Sequence, residues 1–471
     1  MHKIEVTLKQ HTPLIHFQHD QEGATLRATE VKPKLDRFIL TKLGEDTAYQ
    51  SKRDEIAKGM EEKFNKLNSY EKGKLIAKDL GWLIGKGEQP ALDYKMKITS
   101  DNKKINCCEP DGLKLPMYFG NMGKENRDHP KYPVMCKECQ MQLLSYNNEL
   151  IKYVKDNASL LAEFFERTNF GTRQSKGYGS FYIDEKDKNY YFEPKTNLYF
   201  DLNASTYNKL FKDINLFYNS LRAGLNIKSS NQRDKFYFKS LLFKYMKNKD
   251  IQWEKKTIKE EFFLNSYDGV KGLREQQNER KKGFSDKEKQ DLPLFYSSEK
   301  KYIVKDLFGL SATESWKSYR TTIKKNQPKI NSNGSFAYDV DNPKIYMVAD
   351  EKEATFTRIK SPLFFKIIHL DGNNYRVYIS IDKEIAELIK KNILGKWMII
   401  DNGEMGQYHS NFPLQFPDSF DYEDFFKYIF SGDNFDIEKH VEEKFKKEDE
   451  FFILKNIYSQ LKDNYNKITH E

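Results

Sequence analysis

Cysteine is scarce in this chain, long apolar runs are missing, and the signatures of common enzyme classes do not occur. Four cysteines in 471 residues cannot build a disulfide framework, so they are expected to be reduced thiols or metal ligands. No run of the sequence is long enough to cross a bilayer, and no charged segment precedes an apolar one at the N-terminus, which predicts a cytoplasmic protein without a membrane partner. Walker, dinucleotide-binding, kinase, serine-hydrolase and zinc-protease motifs are absent, which argues against those enzyme classes.

The charge balance is less informative than the position of the charges. Lys and Arg number 79 against 70 Asp and Glu, a modest formal excess of +9. Aromatic residues make up 14% of the chain, and several adjoin lysines, as in 236–239 and 243–245. Such interleaving suits bases that stack on rings while cations hold phosphates. A lysine- and aromatic-rich composition also follows from an AT-rich genome, so both interpretations stay open.

The most informative stretch is a basic, glycine-rich segment at 170–182, F-G-T-R-Q-S-K-G-Y-G-S-F-Y. A helical apolar pattern precedes it and an alternating pattern follows, which predicts a loop between a helix and a strand. Gly171, Gly177 and Gly179 permit positive φ and would leave backbone amides exposed to a ligand, beside the cations Arg173 and Lys176. This chemistry favours phosphate binding, although a tight turn with two solvated cations would have the same sequence.

A second candidate anion site lies near the N-terminus. The sequence predicts a helix that Thr29 caps and that Pro33 opens within its first turn. Arg27, Lys32, Lys34 and Arg37 would then surround a helix N-terminus, whose backbone dipole also favours anions. Ordinary surface charge on a helix explains the same residues.

All four cysteines lie between residues 107 and 139. Cys136 and Cys139 form a C-x-x-C pair, which supplies two ligands of a tetrahedral zinc site. Cys107 or Cys108, together with the other of these two cysteines or with His129, would complete it. Structural zinc is therefore one prediction; a strand that carries cysteines by chance is the alternative. A redox role is less favoured, because no thioredoxin-like β-α-β pattern surrounds the pair.

The order of patterns predicts an α+β protein of two domains. The first would span 1–200, with helical residues at 46–90 and the cysteine-containing residues 100–140 as insertions. Helices and a basic linker would occupy 201–290, and a second domain 291–471 would end in helices. Strands are predicted at 3–9, 94–99, 181–184 and 190–192, helices at 150–168, 203–225, 236–246, 385–394, 422–430 and 436–467, and a hairpin at 358–381.

A nuclease is one alternative function. His11, His16 and His19 cluster near the first strand, and a histidine there could activate a ribose 2′-hydroxyl in metal-free RNA cleavage. Lone histidines more often pack or face solvent, so no catalytic residue is assigned.

Several of these motifs together resemble the RAMP superfamily of CRISPR-associated RNA-binding proteins. The loop 171–181 resembles the glycine-rich loop of that family, and L-R-A-T-E-V-K at 26–32 resembles its step into the first helix. Thr12-Pro13-Leu14 and the Phe-Gly steps at 119–120 and 308–309 occur in the family's order. R-I-K-S-P-L at 358–363 resembles a later strand in the two-domain member of the type III-B (Cmr) complex. The chain departs from the family where Pro33 follows Lys32 in place of glycine.

The resemblance implies two ferredoxin-like (RRM-like) domains with helical insertions. It also implies a subunit of an effector complex that binds guide RNA or the guide-target duplex through phosphates without cutting it, and that needs no cofactor. Its partners would be guide RNA, target RNA and the other subunits of the complex. By motif, Arg27, Lys32 and Lys34 would face RNA, as would Gly171, Arg173, Lys176, Gly177 and Gly179. A guide-processing endonuclease and a protein scaffold without RNA contact remain the competing functions.

Overall fold

The structure is a computed structural model of the whole chain. It describes residues 1–15, 25–58, 61–85, 91–100, 106–107, 134–136, 138–230, 234–259, 262, 300–316, 321–332, 338–339, 344–345, 358–402 and 411–470. These residues form a mixture of helices and antiparallel and parallel strands, which confirms the α+β class. No helix among them is long and apolar enough to cross a membrane.

The secondary structure elements are named here in chain order. The strands of three or more residues are β1 His2–Gln10, β2 Lys95–Ser100, β3 Glu138–Ser145, β4 Phe181–Ile183, β5 Tyr199–Asn203, β6 Leu225–Lys228, β7 Asp234–Phe238, β8 Ile251–Trp253, β9 Lys300–Tyr302, β10 Thr313–Trp316, β11 Thr321–Asn326, β12 Leu363–His369, β13 Asn374–Ile381, β14 Trp397–Asp401 and β15 Asn411–Gln415. The helices are α1 Ala28–Glu45, α2 Gln50–Lys58, α3 Glu61–Asn65, α4 Ser69–Asp79, α5 Asn148–Asp156, α6 Ser159–Glu166, α7 Tyr207–Arg222, α8 Leu241–Lys247, α9 Glu254–Lys259, α10 Lys383–Asn392, α11 Tyr422–Phe430, α12 Ile437–His440 and α13 Asp449–His470.

The chain divides into two compact units. Unit 1 comprises Met1–Phe211 and Phe364–Ser380, and unit 2 comprises Lys212–Leu363 and Ile381–Glu471. The hairpin of β12 and β13 therefore packs within unit 1, although it lies late in the sequence. The domain boundaries given above stay a prediction.

Unit 1 is built on a four-stranded antiparallel sheet in the order β2-β3-β1-β4. Val6 lies opposite Met141 on β3, and Leu8 lies opposite Ile183 on β4. These side chains are buried, because alternate residues of a strand face the same side. The apolar stripes of α1, α5 and α6 join them in one core, of which Leu35, Leu161 and Phe165 are fully buried members. The glycine-rich loop leaves this core between α6 and β4.

Unit 2 contains a six-stranded mixed sheet in the order β8-β9-β15-β14-β11-β10. The hairpin of β6 and β7 lies outside that sheet. The helices α8, α11 and α13 bury aromatic side chains: Phe238, Phe430 and Tyr458 are among the rings packed there.

Some predicted elements differ from the structure. The segment 236–246 is not one helix: its first half belongs to β7, because Phe236 and Phe238 are buried while Tyr237 between them is exposed. The helix α8 begins only after Ser240, whose hydroxyl accepts a hydrogen bond from the Phe243 N–H at 3.2 Å.

Three more expectations are wrong in detail. Residues 190–192 lie in a turn and coil and form no strand. The predicted helix 436–467 is interrupted, since Val441 has an extended backbone (φ −97°, ψ 131°) and is buried at the end of α12. The predicted helix 150–168 is divided into α5 and α6. The other helices and strands predicted above occur within a few residues of their expected bounds.

Candidate nucleic-acid interface

The glycine-rich loop has a backbone that few residue types adopt. Gly171, Gly177 and Gly179 have φ of 72°, 87° and 63°, and Arg173 has φ of 59°. A short 3-10 turn, Gln174–Lys176, separates Arg173 from Gly177. Positive φ costs a residue with a Cβ about 1–2 kcal/mol. Arg173 therefore holds a strained backbone, which surrounding contacts must maintain.

The glycines allow the loop to lie directly against neighbouring chain segments. A Cβ on Gly171 would lie 2.5 Å from the Ile15 carbonyl oxygen, and one on Gly177 would lie 2.3 Å from Ile367 Cδ1. A Cβ on Gly179 would lie 2.0 Å from the Phe170 carbonyl oxygen. Backbone atoms leave no room for a side chain at Gly171 and Gly179, whereas at Gly177 the Ile367 side chain would have to move. The glycines thus serve the packing of the loop, whether or not RNA is bound.

The amides of these glycines are already used within the protein. The Gly171 N–H donates to Glu30 Oε1 at 2.6 Å, and the Gly179 N–H donates to the Pro13 carbonyl at 2.9 Å. The Gly177 N–H donates within the loop, at 3.2 Å to the Gln174 carbonyl. The expectation that these three amides are exposed to a ligand is therefore wrong. In this conformation these three amides would not bind a phosphate.

The two cations of the loop are half-buried. The Arg173 guanidinium lies 5.4 Å from the centre of the Tyr178 ring. Tyr178 itself is buried and stacks on Phe211, with ring centres 3.7 Å apart and planes 4° from parallel. Burial raises the pKa of Tyr178 to about 12, an effect that the Arg173 charge opposes. The guanidinium nitrogens of Arg173, beside this aromatic stack, and the ammonium of Lys176 are buried, although each residue as a whole is half-buried.

Lys34 connects α1 to the same loop. Its ammonium donates to Gln174 Oε1 at 2.9 Å and to the Asn169 carbonyl at 3.2 Å, and lies 4.9 Å from the centre of the Phe170 ring. The structure therefore brings one cation of the predicted helix-terminus site beside the glycine-rich loop. Two regions that are 140 residues apart in sequence become one basic area.

The other cations of the predicted helix-terminus site contact other parts of unit 1. The Lys32 ammonium donates to Asp36 Oδ2 at 2.7 Å and to the Leu92 carbonyl at 3.0 Å, and it lies 4.0 Å from the Tyr94 ring centre. Lys32 is thereby tied into the fold, and its contact with RNA stays a prediction. The Arg37 guanidinium lies 4.9 Å from the Tyr70 ring centre.

The helix begins earlier than the sequence predicts. Its first residue is Ala28, and Arg27 is the N-cap residue with an extended backbone (φ −112°, ψ 140°) and no side-chain capping bond. Thr29 is therefore not the cap, and Pro33 lies inside the helix rather than at its first position. Arg27 is half-buried, and its predicted contact with RNA is untested.

Sequence reasoning missed a buried lysine at the base of the loop. Lys366 on β12 is 1% exposed, and its ammonium donates to the carbonyls of Thr168 at 3.0 Å and Phe181 at 2.7 Å and to Asn169 Oδ1 at 3.3 Å. Burial lowers the pKa of Lys366 well below its usual value, with Glu166 acting in the opposite sense. The sequence feature that could have indicated a buried lysine is its position in the middle of the apolar run 363–368.

Asn169 completes the base of the loop. Its side-chain amide donates to the Gln174 carbonyl at 2.7 Å and to the Phe365 carbonyl at 2.9 Å. The Ser180 hydroxyl donates to the Ile367 carbonyl at 2.7 Å. Both ends of the glycine-rich loop are thus attached to β12, which fixes the backbone that carries Arg173 and Lys176.

His11, one of the three histidines of the nuclease hypothesis, is not placed as a general base. His11 is 4% exposed, and its Nδ1 accepts a hydrogen bond from the His369 N–H at 3.0 Å. Its proton is consequently on Nε2. Burial lowers the pKa of His11 well below its usual value, and the Lys366 charge lowers it further. The one lone pair able to accept a proton is engaged by the backbone. His16 and His19 lie outside the described residues.

Two of the four cysteines are described with their side chains. Cys136 and Cys139 are buried, and their Sγ atoms are 3.1 Å apart. Gln10 Oε1 accepts hydrogen bonds from the Cys136 N–H at 2.8 Å and from its thiol at 3.1 Å. The Cys107 backbone pairs with Val134, while Cys108 and His129 lie outside the described residues. No group of three metal-binding side chains forms in the described part of the chain, and the zinc site stays a prediction.

Unit 2 contains a buried network of charges that no sequence pattern indicated. Lys325, 1% exposed, pairs with Asp306 at 2.6 Å and with Glu314 at 3.1 Å. Nearby, Glu254 accepts hydrogen bonds from the N–H groups of Val304 at 2.8 Å and Lys305 at 3.3 Å. Burial raises the pKa of Glu254 to about 7, which the Lys325 charge opposes. The network joins the start of α9 to β10 and β11.

Comparison with protein families gives two matches that together cover most of the chain. The family model described as the Cmr1 N-terminal domain matches residues 1–225, and the one described as the Cmr1 C-terminal domain matches residues 237–462. A search of the curated proteins finds no match.

Solved structures of related proteins resemble the chain distantly. The crystal structure of Cmr1 from Pyrococcus furiosus, in its apo form, is 12% identical, with a TM-score of 0.32 and coverage of 81% of this chain and 88% of that one. A chain in the cryo-EM structure of the type III-B Cmr-beta bound to cognate target RNA is 12% identical, with a TM-score of 0.34 and coverage of 97% and 99%.

Proposed function

The chain belongs to the Cmr1 family, and from that premise we propose that it is a non-catalytic RNA-binding subunit of a type III-B CRISPR effector complex. In the cytoplasm it grips guide RNA or the guide-target duplex through backbone phosphates and takes part in antiviral defence. Its partners are guide RNA, target RNA and the other subunits of the complex. A grip through phosphates suits such a complex, because base pairing reads the sequence.

The observation that carries this proposal is the basic area formed by the glycine-rich loop and α1. Lys34 reaches Gln174, which lies between Arg173 and Lys176 in the loop. Asn169 and Lys366 attach the base of that loop to β12. Cations on a rigid loop lose little conformational freedom when they bind, so their contacts contribute more to affinity.

The geometry of His11 argues against this residue as the base of an RNA-cleaving enzyme. A general base must present a free lone pair to the proton that it removes. The Nδ1 lone pair of His11 instead accepts the His369 N–H at 3.0 Å, and the ring is buried. A guide-processing endonuclease would need another base.

A ferredoxin-like fold for unit 1 is part of the proposal. The chain order of its main elements is β1, α1, β2, β3, α5 with α6, and β4. The sheet order β2-β3-β1-β4 is the one expected when two β-α-β halves interlock in this fold. The corresponding fold of the second domain rests on the sequence resemblance alone.

The test is the salt dependence of RNA binding. The wild type is compared with the double variant Arg173→Ala/Lys176→Ala, using labelled single-stranded RNA and fluorescence anisotropy from 50 to 250 mM salt. Each phosphate contact contributes about 0.7 to the slope of log affinity against log salt. We expect the slope of the variant to be shallower by about 1.4, with the RNA intact throughout.

Lys152→Ala/Lys155→Ala is the matched control, because both lysines are exposed on α5 of the same unit and the net charge changes equally. The control should bind as the wild type does. Equal slopes for the loop variant and the control would remove the loop from the interface. Specific cleavage of the RNA would instead make the nuclease the better description.

A further inference from the structure

Three lysines of unit 2 lie together at the junction of β7 and α8. Lys239 follows the strand, while Lys244 and Lys247 belong to the helix. Among the described residues, none of the three pairs with a carboxylate. The pKa of Lys239 is lowered, first by partial burial and then by the charges of Lys247 and Lys244. Like charges are thus held close enough to repel one another.

Aromatic rings support two of these cations. The Lys239 ammonium lies 4.7 Å from the centre of the Phe243 ring, and the Lys244 ammonium lies 5.7 Å from that of Phe435. The neighbouring imidazole of His440 donates through Nε2 to the Lys239 carbonyl at 2.8 Å. Burial lowers the pKa of His440 to about 4, so this ring is neutral at physiological pH.

An exposed ring lies two residues before Lys239 in the chain. Phe236 and Phe238 of β7 are buried, whereas Tyr237 between them is 43% exposed. Lys239, just after the strand, is exposed as well. Burial raises the pKa of Tyr237, and the charges of Glu442 and Asp234 raise it further. Of the three rings at 236–238 that the sequence offered for base stacking, only Tyr237 is accessible.

Other lysines of the same unit have carboxylate partners, whereas Lys244 donates to the Asn434 carbonyl at 3.5 Å. Lys455 pairs with Glu438 at 2.6 Å, Lys446 with Glu443 at 2.7 Å, and Lys390 with Glu387 at 3.9 Å. Repulsion among Lys239, Lys244 and Lys247 costs folding free energy, and pairing with carboxylates would offset that cost. A bound polyanion would supply the missing counter-charge.

We propose that Tyr237, Lys239, Lys244 and Lys247, termed here the Lys239 surface, are a second contact site for single-stranded nucleic acid. The lysines hold phosphates and Tyr237 stacks on a base. This inference rests on the proposed function and assigns unit 2 its own part in it. An acidic peptide would satisfy the lysines but would leave the exposed ring without a role, whereas a base has a face to stack on it.

The test compares two triple variants of equal net charge. Lys239→Ala/Lys244→Ala/Lys247→Ala removes the surface, and Lys390→Ala/Lys446→Ala/Lys455→Ala removes three paired lysines of unit 2. Binding of labelled single-stranded RNA to the full chain is measured against salt. For the first variant, the slope of log affinity against log salt should be shallower by about 2, since each phosphate contact contributes about 0.7. Its affinity at low salt should be roughly tenfold lower or more. The second should match the wild type.

Tyr237→Ala tests the stacking contact by itself. It should weaken binding roughly fivefold or more without changing the salt slope, since stacking carries no charge. Unchanged binding by Tyr237→Ala, or displacement of RNA by polyglutamate as effective as that by unlabelled RNA, would overturn the assignment to nucleic acid. Equal behaviour of the two triple variants would overturn the surface as a whole.

Folding and the proposed function are controlled separately. Removing mutual repulsion should leave the melting temperature unchanged or raise it, and a Lys→Gln triple variant keeps the aliphatic contacts with the rings. The loop variant Arg173→Ala/Lys176→Ala is measured in parallel. If only the Lys239-surface variant binds RNA weakly, this inference is supported and the glycine-rich loop is excluded from the interface. If only the loop variant binds weakly, the loop is supported and the Lys239 surface is excluded.

Discussion

Gly179 offers a sharp test of what the glycine-rich loop requires. Its φ is 63°, and a Cβ there would lie 2.0 Å from the Phe170 carbonyl oxygen. Gly372, in the turn between β12 and β13 of the same unit, has φ of 51° and no atom within 4 Å of such a Cβ. The two glycines share a left-handed backbone and differ in the space around them. Alanine at each position therefore separates backbone strain from steric exclusion.

The expected magnitudes follow from these distances. Left-handed backbone costs an alanine about 1–2 kcal/mol, which is the whole expected effect of Gly372→Ala. Gly179→Ala must also displace backbone, and overpacking adds about 1–3 kcal/mol. The free energy of unfolding should therefore fall by about 2–5 kcal/mol in Gly179→Ala, which combines these two costs.

Urea denaturation followed by tryptophan fluorescence and circular dichroism measures both variants. Under conditions where both are folded, RNA affinity should fall only for Gly179→Ala, because the displaced segment carries Arg173 and Lys176. If Gly179→Ala and Gly372→Ala lose the same stability to within about 0.5 kcal/mol, the steric argument is refuted, since differences of that size are within the usual additivity error. A stable Gly179→Ala that binds RNA poorly would instead assign this glycine to ligand contact.

Two further predictions concern the buried carboxylate and the cysteines. The folded-state pKa of Glu254, about 7, lies above its ordinary 4.5, so its contribution to stability is complete below pH 4.5 and is lost as the pH rises through 7. Urea titrations would measure the free energy of unfolding of the wild type minus that of Glu254→Gln. This difference should fall by about 3 kcal/mol between pH 4.5 and 8. A difference that stays constant over this range would contradict the raised pKa of Glu254. If the four cysteines hold zinc, elemental analysis should find roughly one ion per chain, lost in Cys136→Ser/Cys139→Ser; metal-free wild type with four titratable thiols would count against it.

The sequence determined the elements whose signal is local. Alternation over 3–9 predicted β1, the apolar run and the turn at 371–373 predicted the hairpin of β12 and β13, and helical periodicity predicted α7 and α11. The basic, glycine-rich loop was also recognisable, because its residue types and spacing stand within one short segment. The family followed from such segments, and the matches to both Cmr1 domains confirm it.

Tertiary structure decided how those residues are used. Whether a glycine amide is available depends on Glu30 and Pro13, which lie more than 140 residues away in the chain. The same holds for Lys366, which only the folded chain shows to be buried against the ends of the loop. Tyr237 became an exposed ring because β7 pairs with β6, which turns its two neighbours inward. A local pattern records which groups are present, while their partners are set by contacts between distant segments.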